Sequence, residues 1–172
     1  MKVPGKVLYS SRRIQTRISE LAKEISQHYE GKPLTVIGLM NGSLFFLVDL
    51  LRLLPAQTQM ECWSISSYKG KSSTGKLHGL GYHRNSYHGR HVLIVDDILD
   101  TGLTLHEVEK HLYKLGAPDI KICVLLSKKK ERAKIVDAKW VGFNMNNEFV
   151  IGYGLDLDQS FRSLPMIRVL PS

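Results

Sequence analysis

Residues 92–105 run VLIVDDILDTGLTL. With His91 in front, HVLIV is the clearest buried strand in the chain, an unbroken apolar run rich in β-branched residues. It ends in two carboxylates, Asp96 and Asp97. A third, Asp100, lies in a turn that opens a helix near Thr104 through Thr101, Gly102 and Leu103. Gly102 allows a tight backbone path close to a ligand. Unpaired N–H groups at the helix start, with the hydroxyls of Thr101 and Thr104, form a cradle for one phosphate. Carboxylates beside an anion site repel the ligand unless ribose hydroxyls or a hard divalent cation intervene. Taken singly, each residue is an ordinary helix cap or first-turn acid. Grouped between a buried strand and a helix, they point to a phosphorylated ligand.

Outward from this stretch, strand-like and helical patterns alternate. Ile14, Ile18, Leu21 and Ile25 recur at helical spacing, which predicts an amphipathic helix over 11–29, stopped by Gly31 and Pro33. LTVIGLM (34–40) predicts a short strand leading into Asn41-Gly42-Ser43, then a helix near 43–54 and a strand over 57–66. Segment 69–90, rich in Gly, Ser, Lys and His, predicts loop or exposed ribbon. KICVLL (121–126), KWVGF (139–143) and EFVIGYG (148–154) supply further extended segments. The fold class is therefore α/β, a mostly parallel twisted sheet with helices on both faces. In such sheets ligands bind beyond the carboxyl ends of the strands, which directs attention to Met40-Asn41-Gly42, to Asp96 onward, and to Lys128.

The chain of 172 residues fits a single domain over 1–172. Its formal charge of +8 favours anionic partners without choosing among nucleic acid, acidic membranes and polyphosphate metabolites. No apolar run is long enough to span a membrane, and the N-terminus does not read as a signal peptide. Cys62 and Cys123 both lie in strand-like runs and are expected to be buried thiols of a reducing compartment. His78, His83, His88 and His91 are spaced five, five and three apart, which fits no standard zinc arrangement.

VLIVDDILDTGLTL resembles the phosphoribosyl pyrophosphate signature of type I phosphoribosyltransferases, most closely the hypoxanthine and hypoxanthine-guanine members. Other matches fall in the same order: the first helix (Ile14 to Tyr29), a pyrophosphate loop (GLMNGS, 38–43), a lid-opening dipeptide (Ser67-Tyr68), LLSK (125–128), and EFVIGYGLDLDQSFRSLP (148–165). The resemblance implies a small hood, a flexible lid near 69–90 and a C-terminal purine-recognition segment near 148–172. It implies that Asp96 and Asp97 hold the ribose 2′- and 3′-hydroxyls directly or through metal and water, and that Asp100 is the acid/base residue facing purine N7. Thr101, Gly102, Leu103 and Thr104 would bind the 5′-phosphate, mainly through backbone N–H groups. Met40, Asn41 and Gly42 would take pyrophosphate, and Arg162 would contact it with a fork suited to bidentate binding. Lys128 would donate to the purine O6, Phe149 would stack on the base, and the Val150 backbone would read its edge. Asp156 joins Asp96 and Asp97 as a metal-side carboxylate, the cofactor being Mg²⁺.

Two positions depart from the family pattern. Leu103 stands where many relatives carry lysine, which leaves the backbone donors but removes a charge. Asn41 replaces another common lysine, at a bond, Met40–Asn41, that relatives hold in the cis form. The partners implied are phosphoribosyl pyrophosphate and a 6-oxopurine, in a cytoplasmic homo-oligomer, dimer or tetramer, with no membrane and no nucleic acid. Two other readings stay open at this point. One is a uracil phosphoribosyltransferase with an RNA-binding regulatory role, which the charge of +8 suits and Lys128 opposes. The other is a nonenzymatic nucleic-acid binder on the same fold, for which clustered carboxylates have no use.

Overall fold

The computed structural model describes residues 3–67, 77–78 and 86–171, with the side chains of 66, 67, 77 and 78 set aside. Tyr68 and most of the expected lid therefore lie outside the described residues.

Helix α1 (Ser11–His28) is capped by Ser10, whose hydroxyl accepts a hydrogen bond from the Arg13 N–H at 3.3 Å. Its apolar stripe, Ile14, Ile18, Leu21 and Ile25, is fully buried, as the spacing predicts. Strand β1 (Lys6–Tyr9) precedes α1. Strand β2 (Leu34–Met40) follows it and leads into helix α2 (Leu44–Leu51), shorter at both ends than the expected 43–54. Strand β3 (Gln59–Ser64) runs next, then the two-residue strands β4 (Ser66–Ser67) and β5 (Leu77–His78), which pair antiparallel.

The stretch VLIVDDILDTGLTL falls on strand β6 (His91–Leu99) and the start of helix α3 (Leu103–Lys114). Strands β7 (Asp119–Lys128) and β8 (Trp140–Met145) complete a five-stranded, all-parallel sheet in the order β3-β2-β6-β7-β8. Side chains of central β6 alternate between two cores, as a period of two requires. Leu93 and Val95 pack with α1 and α2, whereas Val92 and Ile94 pack with α3. Burial on both faces explains why the strand reads as a continuous apolar run.

A small antiparallel sheet ties the chain ends together. Strand β10 (Ile167–Val169) lies between β1 and the two-residue strand β9 (Val150–Ile151). The Arg168 side chain donates to the Pro4 carbonyl at 2.8 Å, fastening this hood.

Two expectations are corrected. Cys123 is buried, but Cys62 is exposed, because β3 is an edge strand and only its Trp63 reaches the core. EFVIGYG is not one extended segment: after β9 the chain turns through left-handed conformations at Gly152, Tyr153 and Gly154. No helix among the described residues is long and apolar enough to cross a membrane.

Candidate active site

The carboxyl ends of β2 and β6 line a cleft of about 260 Å³, whose walls include Met40, Gly42, Asp96, Asp97, Asp100 and Thr104, and Lys128 at the end of β7 reaches Asp100 on its wall. Parallel strands bring this about, since every strand delivers its C-terminal loop to the same edge. In the sequence these wall residues lie up to 64 positions apart, from Met40 to Thr104.

At the start of α3, Gly102 caps the helix in the left-handed conformation, with φ 79°. A Cβ there would overlap the Lys134 carbonyl oxygen, so only glycine fits. That carbonyl is held in place because the Lys134 N–H donates to the Thr101 carbonyl at 3.1 Å. Gly102 offers no side-chain cap, so the first-turn N–H groups beyond Leu103 suit an external acceptor such as phosphate. The Thr101 hydroxyl oxygen accepts from the Leu103 N–H at 3.4 Å, and Leu103 itself is exposed.

Beside the cradle, the Asp97 N–H donates to the Asp96 carboxylate at 3.0 Å. Burial, reinforced by repulsion from Asp97, pushes the Asp96 carboxyl well above the ordinary carboxylate range; burial raises Asp97 as well. Gly42 packs directly on this pair, and a Cβ there would overlap the Asp97 carboxylate. The peptide bond just before it, Met40–Asn41, is cis.

Asp100 behaves in the opposite way. Burial alone would raise it, but Lys130 and Lys128 outweigh burial and hold the carboxyl below its usual value. Lys128 Nζ lies 3.4 Å from Asp100 Oδ2, and Lys130 pairs with Oδ1. Lys128 ends β7 with its side chain only 12% exposed, so it is not a solvated surface charge. Arg132 steadies this corner by donating to the Ser127 hydroxyl at 2.7 Å and to the Lys128 carbonyl at 3.2 Å.

The C-terminal residues close the far side. Arg162 pairs with Asp156 at 2.8 Å and donates to the Gly154 carbonyl at 2.7 Å. The other Asp156 oxygen accepts from the Gln159 N–H at 2.8 Å, so both of its oxygens are engaged. Asp158 is exposed. Phe149 is 52% exposed rather than a core aromatic, while Val150 is buried and pairs with Val169. Ser67 lies at backbone level opposite Leu77 in β4 and β5.

Sequence reasoning missed two residues here. Lys130 disappeared into the run KKKER, although its two-residue spacing from Lys128 was a faint signal that both reach one side. Gly154, with φ 98°, lies so close to the Gly42 carbonyl that a Cβ would overlap it; no local pattern announces that contact.

Comparison with known proteins agrees with this geometry. Residues 5–158 match the model of the phosphoribosyl transferase domain family. A hypoxanthine-guanine-xanthine phosphoribosyltransferase of Tritrichomonas foetus is 39% identical over 166 residues, 96% of this chain and 91% of that protein. A hypoxanthine-guanine phosphoribosyltransferase of Aquifex aeolicus is 39% identical over 167 residues, covering 96% and 94% of the two chains. Among solved structures, a hypoxanthine phosphoribosyltransferase of Staphylococcus aureus superposes with a TM-score of 0.91 at 34% identity, covering 98% of this chain and 92% of that one.

Proposed function

The chain belongs to the phosphoribosyltransferase family, and on that premise we propose that it transfers the 5-phosphoribosyl group of phosphoribosyl pyrophosphate to N9 of hypoxanthine or guanine. The products are IMP or GMP and pyrophosphate, a purine salvage reaction. The observation that carries this reading is the adjacency of Lys128 and Asp100, 3.4 Å apart at the strand ends. A 6-oxopurine presents O6 and N7 side by side on one edge. Lys128 matches O6 as a donor, and Asp100 matches a protonated N7 as an acceptor. The 6-amino group of adenine would face Lys128 donor to donor.

In the proposed reaction the C1′–O bond to pyrophosphate breaks, and its electron pair leaves with pyrophosphate. The N9 lone pair bonds to C1′, and Asp100 takes or shares the N7 proton, which keeps the ring electron-rich as N9 reacts. Its depressed pKa keeps Asp100 ionised and ready to accept. Thr101 to Thr104 hold the 5′-phosphate; Met40, Asn41, Gly42 and Arg162 face the departing pyrophosphate. Asp96 and Asp97 take the ribose hydroxyls, Phe149 stacks on the base, and the Val150 backbone reads its edge. A lid near 69–90, opened by Ser67-Tyr68, would keep water from the cationic carbon. The end of that segment is no part of it, because Tyr87 is buried in the core and Arg90 is bonded to Thr35, against the expectation of exposed loop throughout.

Magnesium fits this donor set. Asp96 and Asp97 are hard oxygen donors whose mutual repulsion a divalent cation would relieve. Among the described residues no three His, Cys, Asp or Glu side chains gather as a metal cage. That suits Mg²⁺, which is commonly held by one or two carboxylates together with substrate phosphates. When bound, it would neutralise charge on the leaving pyrophosphate. Asp156 would join only after Arg162 lets it go. We further assign the protein to the cytoplasm as one domain that assembles into a homo-oligomer, dimer or tetramer.

The test is product formation from phosphoribosyl pyrophosphate and Mg²⁺ with hypoxanthine, guanine, xanthine, adenine and uracil supplied separately. Turnover of hypoxanthine or guanine is expected, with adenine and uracil essentially inert. Preferred turnover of uracil would overturn the assignment.

A further inference from the structure

We propose that Lys130 is a positioning residue for Asp100, retaining one carboxylate oxygen so that Lys128 can be released to the incoming base. The inference rests on the roles just given to Lys128 and Asp100, and adds a residue they do not include.

Three consecutive lysines, 128 to 130, begin at the last residue of β7, and they do not share one environment. Lys129 is exposed, whereas the side chains of Lys128 and Lys130 are 12% and 27% exposed. A fixed turn sorts them. The Lys130 N–H donates to the Lys128 carbonyl at 3.1 Å, the Lys129 N–H donates to the Met145 carbonyl at 2.8 Å, and Arg132 holds Ser127 and Lys128 from behind. Lys128 and Lys130 are thereby aimed at the same carboxylate, one at each oxygen.

A 6-oxopurine disturbs this arrangement on one side only. Its O6 draws the Lys128 ammonium, and its apolar ring displaces water from Asp100. Without a second cation, Asp100 would be left in a drying site with no charged partner, and such a carboxylate is costly to keep ionised. Lys130 removes that problem. It stays on Oδ1 and fixes the carboxylate plane, while Oδ2, given up by Lys128, turns to the proton on N7. Lys130 does not touch substrate in this scheme and acts only through Asp100.

Lys130→Met keeps the chain length and removes the charge; Lys130→Arg restores it. Both are made in the full-length protein, alone and with Asp100→Asn, and assayed with hypoxanthine and phosphoribosyl pyrophosphate. For Lys130→Met we expect kcat to fall roughly 5–20-fold, a share of what a general base contributes, with KM for phosphoribosyl pyrophosphate within about threefold. Lys130→Arg should recover most of the rate, and Lys130→Met should cost nothing further once Asp100 is Asn. An unchanged kcat in Lys130→Met, or an equal loss in the Asp100→Asn background, would overturn the proposal while leaving the Asp100 role intact. Wild-type kcat in Asp100→Asn alone would instead remove the general-base role, and the proposal with it.

Discussion

Asp100 has a lowered pKa within a few residues of two carboxylates whose pKa values are raised: burial lifts Asp96 and Asp97, whereas at Asp100 the lysines Lys130 and Lys128 outweigh burial. Lysines face Asp100; Asp96 and Asp97 face each other. A carboxylate kept ionised can accept a proton, whereas a repelling pair awaits hydroxyls or a cation. Asp100→Asn should therefore lower kcat by roughly 10²–10⁴-fold, the usual contribution of a general base. The phosphate cradle relies on Gly102 and backbone donors, so the dissociation constant for phosphoribosyl pyrophosphate should change by no more than about several-fold. Were Asp100 only a first-turn helix acid, the variant would lose melting temperature and keep its rate. Binding, melting and single-turnover rate on one preparation distinguish these outcomes.

At the scale of elements, the site is held together by backbone contacts too close to admit side chains. Gly42 in the loop after β2 fits between the Asp97 carboxylate at the end of β6 and Gly154 in the turns after β9. Arg162 then clamps the Gly154 carbonyl and pairs with Asp156. The hood, the loop after β2 and the carboxylates of Asp97 and Asp156 are thus mechanically adjacent. Gly154→Ala tests that adjacency. Its φ of 98° disfavours any side chain, and the new Cβ would displace the Gly42 carbonyl. We expect a loss of about 1–3 kcal/mol in stability from the strained backbone. KM for phosphoribosyl pyrophosphate should rise by about tenfold, the equivalent of 1.4 kcal/mol in binding. A folded variant with wild-type KM would show that this contact does not set the loop.

For the molecule as a whole, the expected assembly is two or four copies of a 19.5 kDa chain, and light scattering at micromolar concentration should return one of those multiples; a strict monomer would contradict it. The five-stranded sheet explains how much was legible beforehand. Helix α1 and strand β6 could be read directly, because a stripe at every third or fourth residue and an unbroken apolar run are consequences of burial. The strand-turn-helix that carries Asp96 through Thr104 was legible for a related reason: those residues are contiguous. Strand order was not, since local periodicity carries no record of which edges pair. The exposure of Cys62 followed from β3 lying at an edge, and the broken course of EFVIGYG from the hood folding back on Gly42. Pairing of Lys128 and Lys130 with Asp100 spans 28 and 30 positions and exists only where parallel strands deliver their ends to one side. Sequence alone determined helix α1, strand β6 and the grouping of Asp96 to Thr104 on one strand-turn-helix, because short-range patterns encode them. Tertiary structure alone decided which lysines leave solvent, how the three carboxylates differ, and which glycines must stay glycine, because those depend on atoms brought close from distant parts of the chain.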